Sequence, residues 1–150
     1  MSSLLDIPVL NRPEHVVEYL ANYLSRSDIA IAYIAKYDEP LLPEYPAVLV
    51  MSSQFTKEYH GTHTWLLTLR AEMYVMHALM TESRATRNLN DLKLATEIVS
   101  YIEQDMTLGG RVIHSWVEDE KPGVMPPRGE KGAAVVSTRL SWQGITEARF

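Results

Sequence analysis

Two histidines three residues apart are the first residues in this chain whose types and spacing could support chemistry. His60 and His63 lie in the stretch HGTH, and paired imidazoles bind zinc when a helix places them on one face. The intervening residues are glycine and threonine, which are typical of a turn, and no glutamate follows His60 as it does in the zinc-protease pattern. His77 and His114 add further imidazoles, but their spacing does not predict that they converge. The sequence favours a polar lead-in to a strand over a metal site.

Other chemistry is weaker still. Glu118, Asp119 and Glu120 are adjacent, and two carboxylates act as acid and base only when their surroundings separate their pKa values. These three run into a segment rich in proline and glycine, which predicts that they are solvated together. The chain has no cysteine, no G-x-S-x-G nucleophile pattern and no glycine-rich phosphate loop. We therefore predict that the protein is not an enzyme and has no catalytic, cofactor-binding or metal-binding residues.

Composition predicts one soluble domain. The chain has 150 residues, 46% of them hydrophobic and 22% charged, which fits a single domain with a real core. The formal net charge is −5 and Lys and Arg are dispersed, so the footprint of a nucleic-acid binder is missing. The sequence shows no leader peptide and no apolar run long enough to span a membrane. We expect assembly in a cytosol and no membrane partner.

Two helices follow from apolar spacing. The first begins near Pro13, a residue that the first helical turn accepts, and its apolar positions are Val16, Val17, Leu20 and Leu24. The second is predicted to begin near Asn88 as N-cap, with Asp91 three residues on in a capping-box-like arrangement, and to stop at Gly109 and Gly110. Its predicted apolar stripe consists of Leu92, Ala95, Val99, Ile102 and Met106.

Strands are predicted on either side of the second helix. The stretch IAIAYIAKY from Ile29 and the buried run 47–51 come first, and the polar stretch 52–63 is predicted to be a turn or flexible connection. Residues 64–76 alternate strictly, which predicts a long strand with one buried face. That buried face consists of Leu67, Leu69, Ala71, Met73 and Val75. Two closing strands begin near Arg111 and Ala133, the second with Val136, Thr138, Leu140 and Trp142 on one face.

The order of these elements does not alternate strand with helix. It predicts an α+β fold, a mainly antiparallel sheet of about four to five strands with two helices packed on one face. A short N-terminal tail (1–11) and a long hairpin loop (119–132) complete the single predicted domain. Some large side chains exceed what such a core can hold, which predicts apolar area reserved for neighbouring copies or partners. The residues concerned are Tyr74, Trp116 and Trp142; Trp65, Met73, Met76 and Met80 also lie around the long strand, where such residues are more often part of the core.

The layout resembles the tail-terminator proteins of long-tailed bacteriophages. An N-terminal helix, a proline-rich loop ending in the strand YPAVLV, a polar turn, the strand THTWLLTLRAEMYV, a helix and two closing strands carry the resemblance. It covers most of the chain, from about Pro13 to about Trp142. The family has no short signature of functional residues, so none is carried over by position.

The resemblance implies a structural virion protein. In that family a small α+β subunit forms a ring of six copies on the head-proximal end of the tail tube, in the tail or neck of a virion assembled in the bacterial cytoplasm. The ring stops polymerisation of the major tail tube protein and provides the joint to the head connector, and DNA passes through it without specific binding. The resemblance implies no enzyme activity and no cofactor.

Three alternatives remain open, one of which is a cellular adaptor domain that binds another protein and forms no closed ring. Another neck component, a head–tail connector or stopper, shares the small size and the ring assembly. From a different class, a metalloenzyme would use His60, His63 and a third ligand. Within the leading interpretation, we predict that the loop 119–132 contacts the tube or connector. Its centre is Pro126, Pro127 and Arg128.

Overall fold

Two helices and five strands make up the part of the chain that the structure describes. The structure is a computed structural model and describes residues 9–37, 44–78, 84–124 and 135–149. In chain order the elements are α1 (Pro13–Ser25), β1 (Tyr33–Lys36), β2 (Ala47–Gly61), β3 (Thr64–Ala78), α2 (Arg84–Glu103), β4 (His114–Pro122) and β5 (Val135–Arg149). The strands form one sheet in the order β1-β2-β3-β5-β4. Only the β1–β2 pair is parallel among these strands, so the predicted α+β fold with a mainly antiparallel sheet is confirmed.

Both helices pack on one face of the sheet. The predicted alternation of β3 is confirmed, because Leu67, Leu69, Ala71, Met73 and Val75 are all buried. Four of these, Leu67 excepted, share a core with apolar side chains of α1 and α2. On the opposite face, Leu49 and Met76 centre a smaller apolar cluster on β1, β2 and β3. We call this opposite side the open face, because neither helix covers it.

Helix α1 begins where the sequence predicts. Pro13 occupies the first turn, and Arg12 precedes it in extended conformation without a side-chain cap; proline fits there because the first helical N–H groups have no intrahelical acceptor. The four predicted apolar residues are buried. Tyr19 is also buried, and its hydroxyl donates to the backbone oxygen of Leu108 at 3.3 Å. This contact ties α1 to the segment that follows α2.

Strand β1 is shorter than the sequence predicts. The prediction placed its start at Ile29, but pairing begins at Tyr33, opposite Ala47 at the start of β2. A strand extends only as far as its neighbour offers hydrogen-bond partners. Ahead of Tyr33, the N–H of Ile31 bonds back to the oxygen of Ile29 at 2.8 Å. That local turn replaces the predicted extended backbone.

The polar stretch 52–63 is a strand and not the predicted flexible connection. β2 continues to Gly61 and pairs with β3 as far as the turn, with register shifts between Ser52 and Phe55 and between Tyr59 and Gly61. Most side chains described in this stretch are exposed to solvent. This exposure explains why the stretch is polar although its backbone is paired. The reversal takes place at residues 62–63, and His63 adopts a φ of 67°.

Helix α2 differs from its prediction at both ends and in its buried face. It begins by Arg84, so Asn88 lies inside the helix and is not its N-cap, and it ends at Glu103, before the two glycines. Leu92 and Met106 are exposed by 39% and 40% and do not belong to the core. The buried stripe is rotated and includes two charged residues. Its members are Arg87, Asp91, Leu94, Ala95, Ile98 and Ile102.

Trp142 shows how tightly the sheet packs under α2. Its indole is fully buried and folds back along β5, so that a Cβ built on Gly144 would lie 2.4 Å from Cη2 of the ring. Thr138 and Leu140 share the buried face of β5 as predicted. Only a glycine leaves room for an indole lying along the strand at this position.

Strand β4 forms one edge of the sheet and is held there by α2. It starts at His114, later than predicted, because the N–H groups of Gly110, Arg111 and Val112 all bond to the oxygen of Thr107 in a tight loop. The backbone N–H of Val117 donates to Oε2 of Glu103 at 3.3 Å. β4 runs on to Pro122, so the first residues of the predicted loop 119–132 are strand. Pro126, Pro127 and Arg128 lie outside the described residues.

Candidate functional site

The histidines singled out from the sequence lie in separate parts of the fold. His63 is exposed at the hairpin turn and His77 lies near the other end of β3, roughly 45 Å away along the strand at about 3.3 Å per residue. His114 pairs with Ile145 on β4 and its ring lies 5.2 Å from that of Trp116. The side chain of His60 lies outside the description. Within the described ranges, no three metal-binding side chains form a group that could hold a metal ion.

His77 belongs to a buried polar network that sequence reasoning missed. Its Nδ1 lies 2.8 Å from Oδ1 of Asp91, and the hydroxyl of Thr138 donates to Oδ2 of the same carboxylate at 2.6 Å. Asp91 is 2% exposed. A carboxylate in such a place needs hydrogen-bond donors to offset the loss of water. The network joins α2 to β3 and β5, which makes it a structural clamp.

The three adjacent acids lie on β4, and two of them are near arginines of the same sheet. Glu118 is 4.0 Å from Arg70 of β3, and Asp119 is 3.8 Å from Arg139 of β5. All three acids are exposed. Long contacts between exposed charges contribute little to stability.

Tyr74 lies on the open face, and its hydroxyl is hydrogen-bonded to a carboxylate. The hydroxyl of Tyr74 donates to Oε2 of Glu72 at 2.7 Å. Burial, followed by this hydrogen bond, raises the pKa of Tyr74 to about 12. Tyr74 packs against the small apolar cluster around Leu49 and Met76. The phenol therefore stays neutral at physiological pH and serves as a packing and hydrogen-bonding group.

The loop between α2 and β4 is organised by Asp105. Its carboxylate accepts hydrogen bonds from the hydroxyl and N–H of Thr107 and from the N–H of Gly109. The side-chain bond from Thr107 and the backbone bond from Gly109 hold the pKa of Asp105 below its ordinary value. Arg111 closes the loop by lying 4.9 Å over the ring of Tyr19.

The far end of the β2–β3 hairpin exposes aromatic surface. We call residues 56–66 the hairpin tip. Tyr59 is 61% exposed, and its ring meets that of Trp65 edge-on at 5.5 Å. Nζ of Lys57 lies 5.3 Å from the centroid of the Trp65 ring. Aromatic side chains with a nearby cation are enriched at protein interfaces, so the tip has the composition of a contact surface.

A second surface feature lies between the two helices. The interhelical groove is an open cavity of about 610 Å³ between the C-terminal end of α1 and the second half of α2. Tyr101 and Ile29 give it apolar walls, while Asp28 and Glu97 contribute carboxylates and Arg26 a guanidinium. Tyr23 supports Tyr101 from below, with ring centroids 4.7 Å apart in an edge-on contact. The groove therefore has both apolar and charged walls.

The large Met and Trp side chains singled out from the sequence are divided between core and surface. Met73, Met76 and Trp142 are buried, whereas Trp65 and Trp116 are half-buried. Met80 lies outside the described residues. No helix in the described ranges is both long and apolar enough to cross a membrane.

Comparison with protein-family models and with curated proteins gives no match for this chain.

Sequence reasoning missed Asp91, the interhelical groove and the exposed pair at the hairpin tip. Asp91 was interpreted as part of a helix cap, because a carboxylate near an apparent helix start is the usual capping signal. Phe55 and Tyr59 are the only large apolar residues in the stretch 52–63, too few to form the apolar alternation that identifies a strand. The groove depends on how two helices pack and has no signal in sequence.

Proposed function

We propose that this protein is the ring-forming subunit of a phage tail terminator. Six copies close into a ring on the head-proximal end of a tail tube, stop the tube from growing and present the surface to which the head connector binds. The proposal rests on the resemblance described above and on the shape of the subunit. DNA passes through the ring without being held.

The observation that carries the proposal is that one small subunit has two different surfaces suited to contacts with other copies. The hairpin tip exposes Tyr59 beside Trp65 and Lys57, and the interhelical groove offers a different surface on the helix layer. A closed ring needs a heterologous interface, in which each copy contributes two different patches. The α+β fold with helices on one face supports the proposal, because the resemblance implies a small α+β subunit.

The charge of the chain supports passage of DNA. The formal net charge is −5, so a ring of such subunits carries a large negative charge at neutral pH. Tight binding of DNA depends on several clustered phosphate contacts from Lys and Arg. A ring without such clusters lets the duplex slide, which a joint between head and tail requires.

Negative-stain electron microscopy of the purified protein, alone and mixed with tail tubes from the same source, tests the proposal. We expect closed rings, or caps confined to one end of each tube. Absence of both rings and tube binding would contradict the proposal. Tubes without the protein are the control, because they show how often an end looks capped by chance.

A second arm separates a terminator from a connector or stopper. The protein is added to tube protein during polymerisation and, separately, to filled heads that lack tails. A terminator limits tube length and binds tube ends, whereas a connector or stopper binds the head vertex and leaves tube length unchanged. Binding to heads alone would move the protein to the other neck role.

A further inference from the structure

The hairpin tip extends beyond the helix layer of its own subunit. The C-terminal end of α2 is level with Ala71 of β3, because Glu103 bonds to Val117, and Val117 and Ala71 both pair with Trp142. Trp65 lies six residues before Ala71, near the start of β3, which places it roughly 20 Å beyond that level. The α2 residues that line the interhelical groove precede Glu103, so the groove lies on the opposite side of the Ala71 level from Trp65. The tip therefore points away from its own groove.

The contact side of the tip is defined by strand pairing. Lys57 pairs with Leu67 and Tyr59 with Trp65, and cross-strand partners point to the same side of a sheet. Leu67 points to the side that carries the helices. Lys57, Tyr59 and Trp65 therefore form one stripe on that side. Glu58 is exposed and lies on the opposite side.

Charge and chemistry of the stripe match the groove. Lys57 brings one cation and two aromatic rings accompany it. The groove offers the carboxylates of Asp28 and Glu97 and the ring of Tyr101, against the single guanidinium of Arg26. Opposite charges across an interface fix its register and exclude wrong partners. Buried tyrosine and tryptophan supply most of the binding energy in typical interfaces.

We propose that the hairpin tip of one copy binds in the interhelical groove of the next copy. Tyr59 and Trp65 pack against Tyr101 and Ile29 of the neighbour, and Lys57 faces Glu97 and Asp28. The contact is heterologous, because the tip and the groove are different surfaces, so repeated contacts close a ring. This inference rests on the proposed function for the existence of the ring and adds which surfaces make it.

Cysteine cross-linking tests the contact directly, because the natural chain has no cysteine. Two single variants, Tyr59→Cys in the tip and Ser100→Cys in the groove, are mixed and oxidised. We expect a covalent dimer that contains one copy of each variant. The matched control replaces Tyr59→Cys by Glu58→Cys, which moves the thiol to the other side of the same strand. Equal cross-linking in both mixtures, or none in either, would overturn the proposal.

A charge exchange supplies a second test. Lys57→Glu and Glu97→Lys are each expected to raise the protein concentration needed for assembly by about fivefold, since an exposed ion pair contributes up to about 1 kcal/mol. The double variant restores the pair between positions 57 and 97 and is expected to assemble at a lower concentration than either single variant. Single variants that assemble like the wild type, or a double variant worse than both, would contradict the contact.

The two proposals fail in different ways. Wild-type rings seen by electron microscopy without selective cross-linking would remove this contact and leave the terminator proposal standing. Absence of wild-type rings together with absence of cross-linking would remove both. Circular dichroism of every variant, compared with the wild type, verifies that each one is folded before it is scored.

Discussion

Nδ1 of His77 lies 2.8 Å from Oδ1 of Asp91, in a place where the aspartate is 2% exposed. An ionised carboxylate only accepts hydrogen bonds, so the histidine donates from Nδ1. The second oxygen accepts from Thr138 at 2.6 Å. One carboxylate thus joins the end of β3, the first half of α2 and the start of β5. These two bonds join residues that are 14 and 47 positions apart in sequence and hold the three elements together.

Replacing Asp91 is expected to destabilise the fold strongly. In Asp91→Ala, His77 and the buried hydroxyl of Thr138 both lose their acceptor, and an unsatisfied buried group costs about 1–3 kcal/mol. We expect the free energy of unfolding in urea to fall by about 2–4 kcal/mol. Asn88→Ala, an exposed change on the same helix, is the control and is expected to stay within about 0.5 kcal/mol. A loss below about 1 kcal/mol for Asp91→Ala would disprove the clamp.

Gly144 is expected to tolerate no side chain. A Cβ at this position lies 2.4 Å and 2.7 Å from two carbons of the Trp142 ring, and overpacking of a tight core costs about 1–3 kcal/mol. Gly144→Ala should therefore lower stability by that amount and shift the tryptophan fluorescence. Gly61→Ala is the matched control, because nothing lies within 4 Å of its added Cβ. Equal stability of the two variants would contradict this account of the packing.

Stability is expected to fall in acid partly through Asp105. Its pKa is lowered in the folded protein by the bond from Thr107 and the N–H of Gly109. A lowered folded pKa stabilises the protein above the unfolded pKa of about 3.9, and the contribution is lost as pH falls through the folded value. Asp105→Asn should show a smaller loss of stability below about pH 4 in urea titrations at several pH values. An unchanged acid profile would contradict the prediction.

Glu18 is expected to contribute a second part of the acid dependence, which Asp105→Asn would leave in place. The hydrogen bond from Lys36 is the main reason that the pKa of Glu18 is also lowered. Glu18→Gln should therefore reduce the same loss by a separate amount, and the two substitutions together should reduce it further. Sites far apart without shared partners usually act additively.

Tyr74 is expected to ionise at a pH well above the ordinary tyrosine pKa. Burial, then the bond to Glu72, raises its pKa to about 12. A raised folded pKa stabilises the protein below the unfolded value of about 10, and the contribution disappears as pH rises from about 10 through the folded value. Ultraviolet titration should show a late phenol in the wild type that is missing from Tyr74→Phe.

Glu72→Gln tests the cause of this shift. Removal of the carboxylate should bring the titration of Tyr74 closer to the ordinary value without reaching it, since burial is the larger cause. A variant that titrates like the wild type would show that the carboxylate has no part in the shift.

Regular patterns in the sequence were sufficient for the core of the fold. The alternation from Leu67 to Val75 predicts both the strand and its buried face, because every second residue enters one apolar layer. Pro13 predicts the start of α1 for an equally local reason. The strand is indicated by the period of its own side chains, and the start of the helix by the backbone chemistry of proline. Both signals are local, so neither depends on residues elsewhere in the chain.

Other features depend on partners that no local window contains. The buried stripe of α2 includes Arg87 and Asp91, and only their tertiary surroundings make burial of charged residues possible. Most side chains described in the stretch 52–63 are exposed, so this part of β2 lacks the apolar alternation that identifies a strand. The terminator assignment stays a prediction that electron microscopy tests.

The carboxylate of Glu103 gives the outer strand a safeguard against fibre formation. The N–H of Val117 on β4 is occupied by Glu103, so an incoming strand from a misfolded chain finds one of its docking positions already filled. The exposed acids Glu118, Asp119 and Glu120 follow directly and repel a second copy of the same strand. Edges protected in this way resist amyloid-like stacking. Glu103 therefore leaves β4 with one fewer free backbone donor for edge-to-edge pairing with another chain.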